Sequence, residues 1–170
     1  MALVKRKPIE GEVTKTSPYG RVYIFEIELD DGTMIHKVGM VNSDSMSRVT
    51  DRLMEVLRSF FMQYRYIPKS RIVKAKKFLI PYIVENHLHK LLAELKYKSD
   101  KKYDGYDEMF SDVDIDELVR YMDSFQYREL LVGETKMDIS RYEKIREAVE
   151  LDKMANSKKS TAKGTDELPF

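Results

Sequence analysis

Tyr23, Lys37, Arg48, Arg52, Glu85 and His89 are of the types, and at the spacings, that phosphodiester chemistry needs. Arg48 and Arg52 are four residues apart, as are Glu85 and His89, so on helices each pair shares a face. A carboxylate can hold a hard divalent cation such as Mg²⁺ or Mn²⁺, and one suffices if the metal keeps several waters. The cation polarises a phosphoryl oxygen and helps expel the leaving oxygen. An arginine stabilises charge on the phosphate, and a tyrosine or histidine relays the proton of the attacking water. Each residue alone has an ordinary explanation: Tyr23 as packing, Lys37 as a solvated strand residue, the arginines as an exposed helix face, Glu85 and His89 as a surface pair. The functional reading rests on the set.

Those residues need elements to hold them. The run from Arg21 to Leu29 is rich in β-branched and aromatic residues and ends at Asp30-Asp31-Gly32, a tight-turn signal. Met34 to Val38 resumes as a second strand, so the two predict an antiparallel hairpin carrying Tyr23, His36 and Lys37. Asn42 to Ser45 offer helix caps, and Val49, Leu53, Val56, Leu57 and Phe60 follow at helical spacing. Pro68 breaks the chain, and Arg71 to Phe78 predicts a third strand. Pro81 opens a helix expected to reach about Tyr97, burying Ile83, Leu88, Leu91, Leu92 and Leu95. Residues 98–107 read as a charged loop turning at Gly105, followed by helices over Ile115 to Phe125 and Ile139 to Met154. The fold class expected is α+β: a small three-stranded antiparallel sheet flanked by helices, with additional C-terminal helices. The divisions expected are a lead-in over 1–19, a principal domain over 20–125, a helical extension over 126–154 and a disordered tail over 155–170.

Composition narrows the function classes. The 170 residues are enough for one core, and 42% hydrophobic with 35% charged residues reads as a soluble globular protein. No apolar run is long enough to span a membrane, and the basic start lacks the apolar stretch of a signal peptide, so a cytoplasmic location and no membrane partner are expected. With no cysteine, disulfides, thiolate zinc sites and thiol nucleophiles are excluded. The net charge of +1 hides an asymmetry: residues 1–100 hold 18 Lys and Arg against 12 Asp and Glu, and residues 101–170 hold 12 against 17. Arg65, Lys69, Arg71, Lys74, Lys76 and Lys77 have no acid among them, a stretch suited to a phosphate backbone or, equally, to guarding a strand edge against aggregation.

The order of Val22 to Phe25 (VYIF), His36 to Gly39 (HKVG), Arg48 and Arg52, then Glu85 to His89 (ENHLH) resembles the GIY-YIG nuclease superfamily, and its phage-associated branch in particular. There the second motif often reads K-I-G, and a Gly-x-x-Glu segment follows, here Gly105 to Phe110. The resemblance covers about residues 20–123. It implies a metal-dependent endonuclease acting on DNA, with Tyr23 as base or proton relay, Arg48 on the scissile phosphate, Glu85 on the metal and His89 in a less defined role. It also implies that the chain turns away from the sheet at Gly39, and it places Lys37 where classical members have a second tyrosine. The gap between Gly39 and Arg48 also allows Arg52 to be the phosphate-contacting arginine.

Two functions are therefore carried forward. One is an endonuclease using Mg²⁺ or Mn²⁺, with the Arg65–Lys77 stretch gripping the DNA backbone. The other is a nucleic-acid-binding or phage accessory module on the same fold that does not cut. A homo-oligomer is compatible with either.

Overall fold

The computed structural model describes residues 18–131 and 139–166; residues 1–17 of the lead-in expected over 1–19 lie outside them. Strand β1 (Tyr19–Glu28) is closed onto β2 (Met34–Val41) by the expected turn, in which Gly32 takes φ 85° and donates its N–H to the Leu29 carbonyl. The pairing is antiparallel, with Tyr23 opposite Gly39 and Phe25 opposite Lys37. On the other side of β1 runs β3 (Lys69–Leu79), also antiparallel, with a bulge between Ile24 and Phe25. Helix α1 (Met46–Tyr64) precedes β3 and helix α2 (Pro81–Leu91) follows it.

The sheet has four strands, not the expected three. Strand β4 (Met109–Ser111) pairs antiparallel with β2 over Ile35 to Lys37, giving the order β3-β1-β2-β4. A three-residue strand is too short for alternation to register in a sequence, and its neighbours are charged; what fixes it is burial of Met109 and Phe110 against the sheet.

Both faces of the sheet are covered, which explains why β1 reads as a nearly unbroken apolar run. Tyr23, Phe25 and Ile27 meet Val49, Leu53, Val56 and Phe60 of α1. Val22, Ile24 and Val38 meet Ile83, Val84 and Leu88 of α2, and helix α3 (Ile115–Ser124) adds Leu118 and Met122 to that layer. Asp114 caps α3 by accepting from the Glu117 N–H. A 3-10 stretch, Tyr127–Leu131, and helix α4 (Ile139–Asp166) close the same side, where Leu130, Ile145 and Ala148 are buried. Helix α4 continues past Met154 as far as Asp166, and the last residues of the tail expected over 155–170 lie outside the described residues. Extending an existing helix adds one hydrogen bond per residue fixed, and no proline intervenes before Pro169.

Helix α2 is shorter than expected. After Leu92 a single 3-10 turn (Ala93–Leu95) leads to extended Lys96, and Tyr97 donates its N–H to the Met109 carbonyl. The chain leaves the helix to meet β4. Leu92, four residues after Leu88, is buried, whereas Leu91 at the helix end is 54% exposed, correcting its expected place in the core. Leu88→Ala should therefore cost about 2–5 kcal/mol of stability and Leu91→Ala less than about 0.5 kcal/mol, as read by denaturant titration; equal losses would contradict this packing.

Candidate active site

Strand pairing places Tyr23, Phe25, Lys37 and Gly39 on one face, because directly opposed residues of an antiparallel pair point the same way. Tyr23 stacks on Phe25 with ring centres 4.0 Å apart, and both are buried. Lys37 is fully buried. An unpaired ammonium there would be prohibitively costly, and two groups satisfy it: Nζ donates to the Tyr23 hydroxyl at 3.2 Å and forms an ion pair with Glu108.

Gly39 does not turn the chain away from the sheet, as had been expected; it sits inside β2, opposite Tyr23. Its role is space. A Cβ there would collide with the Tyr23 hydroxyl and lie 2.8 Å from Lys37 Nζ. Gly105 makes a second close approach: it has φ 84°, a conformation that favours glycine, and a Cβ would run into the Lys37 side chain. The two glycines thus let one lysine lie flat between β2 and the turn that brings Glu108.

Arg52 reaches this site from α1. Its guanidinium makes a two-pronged contact with Asp104, at 2.6 and 3.0 Å, and also bonds Glu55 at 2.9 Å. The Asp104 carboxylate, and after it Glu55, favour the charged form of Arg52. Arg48 lies one turn earlier and is exposed, with no side-chain partner among the described residues. The two arginines therefore do not act as one face: Arg52 joins the cluster and Arg48 does not.

Glu85 approaches from α2, half-buried. Burial, then repulsion from Glu108, pushes its carboxyl up to about 7, while Lys37 and Arg52 pull the other way. Those four charges, with Tyr23, form one electrostatic unit. Glu108 is the member that sequence reasoning omitted, although the Gly105–Phe110 segment had drawn notice; nothing in a sequence indicates that its carboxylate meets Lys37. His89 is not part of the unit. Its Nε2–H donates to the Val38 carbonyl at 2.6 Å, and its ring lies against Phe110. Strand β4 ends opposite Lys37, so it cannot serve that carbonyl. His36, the neighbour of Lys37, points to the opposite face and bonds Glu26 at 3.0 Å. Among the described residues, no group of three or more His, Asp or Glu side chains is arranged to hold a metal ion.

The basic stretch from Arg65 to Lys77 is largely neutralised by acids from elsewhere in the chain. Arg71 pairs with Glu26 at 2.7 Å, Lys74 and Lys76 with Asp123 at 3.0 and 3.5 Å, and Lys77 with Asp44 at 3.1 Å. Arg65 and Lys69 are exposed without a carboxylate partner among the described residues. β3 is an edge strand, where lysines block further pairing.

Two outcomes follow from these contacts. Glu108→Gln leaves the Lys37 ammonium buried without its anion and should cost about 3 kcal/mol, near the low end for a broken buried pair because Glu108 is 30% exposed. Adding Lys37→Met should recover most of that loss; a chemical denaturation series in which the double variant is as unstable as the single would refute the pairing. The raised Glu85 carboxyl stabilises the fold fully below about pH 4.5, and that contribution is lost as pH rises toward about 7. Glu85→Gln should abolish that loss, so its melting temperature should gain on the parent across this window and run parallel above it.

No curated protein and no solved structure matches the chain. No described helix is long and apolar enough to cross a membrane. A family model does match, and over well more than half of the chain: the T5orf172 domain, on residues 20–126, which span the four strands, the first three helices and every residue of the cluster. The chain belongs to the T5orf172 domain family, a phage-associated family related to the GIY-YIG and HNH-like nuclease class.

Proposed function

We propose that this protein is a GIY-YIG-type endonuclease that hydrolyses DNA with the help of Mg²⁺ or Mn²⁺. The observation that carries the reading is the convergence of Tyr23, Lys37, Arg52, Glu85 and Glu108, from two strands, two helices and one turn, into a single electrostatic unit. Family membership supports a nuclease-like or nucleic-acid-related role.

In the reaction a water oxygen bonds to phosphorus, the P–O bond to the leaving sugar oxygen breaks, and that oxygen takes up a proton. Arg52 is the residue for the phosphate, since its planar fork matches two phosphoryl oxygens. Tyr23 accepts a hydrogen bond from Lys37, which leaves its own O–H free to take part in moving the water's proton. Lys37 stands in for the second tyrosine as a fixed positive charge that orients Tyr23.

Glu85 and Glu108 are the two carboxylates of the cluster, and a hard divalent ion takes oxygen ligands of that kind. Glu85 is held close enough to Glu108 for the two carboxylates to repel, and a cation bound through one or two carboxylates and several waters relieves that repulsion. Glu85 would hold it, with Glu108 beside it. When bound, the ion supplies Lewis-acid polarisation of a phosphoryl oxygen and stabilises the leaving oxygen. In the DNA-holding stretch, Arg65 and Lys69 are the cations available at once, while Arg71, Lys74, Lys76 and Lys77 must exchange a carboxylate for a phosphate.

A second reading is a module that grips nucleic acid without cutting. It is favoured by one observation: position 37 carries an ammonium, which cannot relay a proton as a phenol does. Incubation of supercoiled plasmid with Mg²⁺ or Mn²⁺, with and without chelator, separates the two. The nuclease reading expects metal-dependent nicking that falls by about 10²-fold or more in Glu85→Gln and in Arg52→Lys, with Arg48→Lys close to the parent. Nicking that survives Glu85→Gln, or that chelator leaves unchanged, would sink it.

A further inference from the structure

We infer that Asp104 holds the place of a substrate phosphate on Arg52, so that the resting site is occupied by its own carboxylate and DNA binds by exchanging with it. This rests on the phosphodiester reading above and adds a residue that sets how strongly the site takes its substrate.

The geometry is specific. Asp104 presents both carboxylate oxygens to two different nitrogens of Arg52, at 2.6 and 3.0 Å. That parallel, two-pronged contact is the one a guanidinium makes with two oxygens of a phosphate. The occupant is also replaceable. Asp104 is 42% exposed, whereas Arg52 is 28% exposed and keeps a second carboxylate, Glu55, at 2.9 Å. An anion from solvent can therefore displace Asp104 while Glu55 still holds Arg52 on α1.

The segment bearing Asp104 is built to rest there. The Asp104 N–H donates to Ser59 Oγ on α1 at 2.8 Å, and Lys101 donates to the Gln63 carbonyl at 3.0 Å. Gly105 follows directly, and Glu108 is three residues further on, already paired with Lys37. One short turn thus supplies one carboxylate to Lys37 and another to Arg52. The two anions differ in role. The Glu108 pair is buried on the lysine side, and releasing it would strand an ammonium. The Asp104 pair is open to water, where an exposed ion pair is held weakly enough to exchange.

Binding of a short DNA duplex in chelator, where no cleavage occurs, tests the exchange. Asp104→Asn should tighten binding about three- to tenfold, the range for releasing an exposed two-pronged pair. Asp104→Ser should do the same, and serves if the amide perturbs the turn. Asp107→Asn removes the same charge three residues away without touching Arg52, and should change binding by less than about twofold. In an Arg52→Gln background the Asp104→Asn gain should vanish, since no guanidinium remains to be freed. The inference is overturned if neither Asp104 variant tightens binding, if Asp107→Asn tightens it equally, or if the gain persists without Arg52. Cleavage measured separately with Mn²⁺ keeps the two ideas apart. An Arg52-dependent gain in binding with no cleavage by any variant refutes the nuclease and leaves the exchange standing; cleavage lost in Glu85→Gln with binding indifferent to Asp104 does the reverse.

Discussion

A fully buried ammonium is the constraint on which this arrangement turns. Lys37 lies in the middle of β2 between two covered faces, so the cost of removing its charge from water must be met by an anion fixed nearby. That anion is Glu108, and it can reach Nζ only because β4 pairs with β2 beside it, Met109 lying opposite Lys37. The pairing in turn draws Tyr97 out of the path of α2 and ends that helix early. Two glycines, Gly39 and Gly105, clear the space through which the lysine passes. Strand, turn, helix end and glycines thus all bear on how a single buried charge is satisfied.

The same logic organises charge across the whole chain. The excess of bases in the first hundred residues and of acids afterwards suggests, on paper, two regions of opposite character. In three dimensions the later acids fold back on the earlier bases: Glu108 on Lys37, Asp104 on Arg52, Asp123 on Lys74 and Lys76. A binding surface made of such pairs works by exchange of one anion for another rather than by simple attraction. On the reading proposed above, its affinity would be set by the difference between the internal carboxylate and the incoming phosphate, and salt would weaken both.

Much of the fold was legible because it depends on local pattern. The hairpin follows from its β-branched run and the Asp-Asp-Gly turn, and α1 from apolar residues at spacings of three and four. The candidate residues on long elements, Tyr23, Lys37, Arg52 and Glu85, could be named for the same reason. What escaped depends on pairing between distant segments. Three residues of β4 carry no periodic signal. Gly39 looked like a turn because glycine is permissive, yet the reason for it is the Tyr23 hydroxyl across the strand pair. Arg48 and Arg52 have equal standing in a helical wheel, and only the Asp104 turn singles out Arg52. His89 has the chemistry of a proton carrier, but a backbone carbonyl on β2 claims its N–H.

These contacts make two sequence segments one physical unit. A phenol at position 37 would bring no charge into the sheet and would require no partner carboxylate. A lysine there brings a charge that must be neutralised, and the Gly105–Glu108 turn supplies the neutralising group with a glycine where the lysine stem passes. The turn and the lysine are therefore coupled by electrostatics: either alone is destabilising, since Glu108 without Lys37 would add to the repulsion already felt by Glu85. Exchanging the lysine for tyrosine is in this view not a local change of proton relay. It alters the charge balance of every group in the cluster, from the Glu85 carboxyl to the hydroxyl of Tyr23 that Lys37 orients.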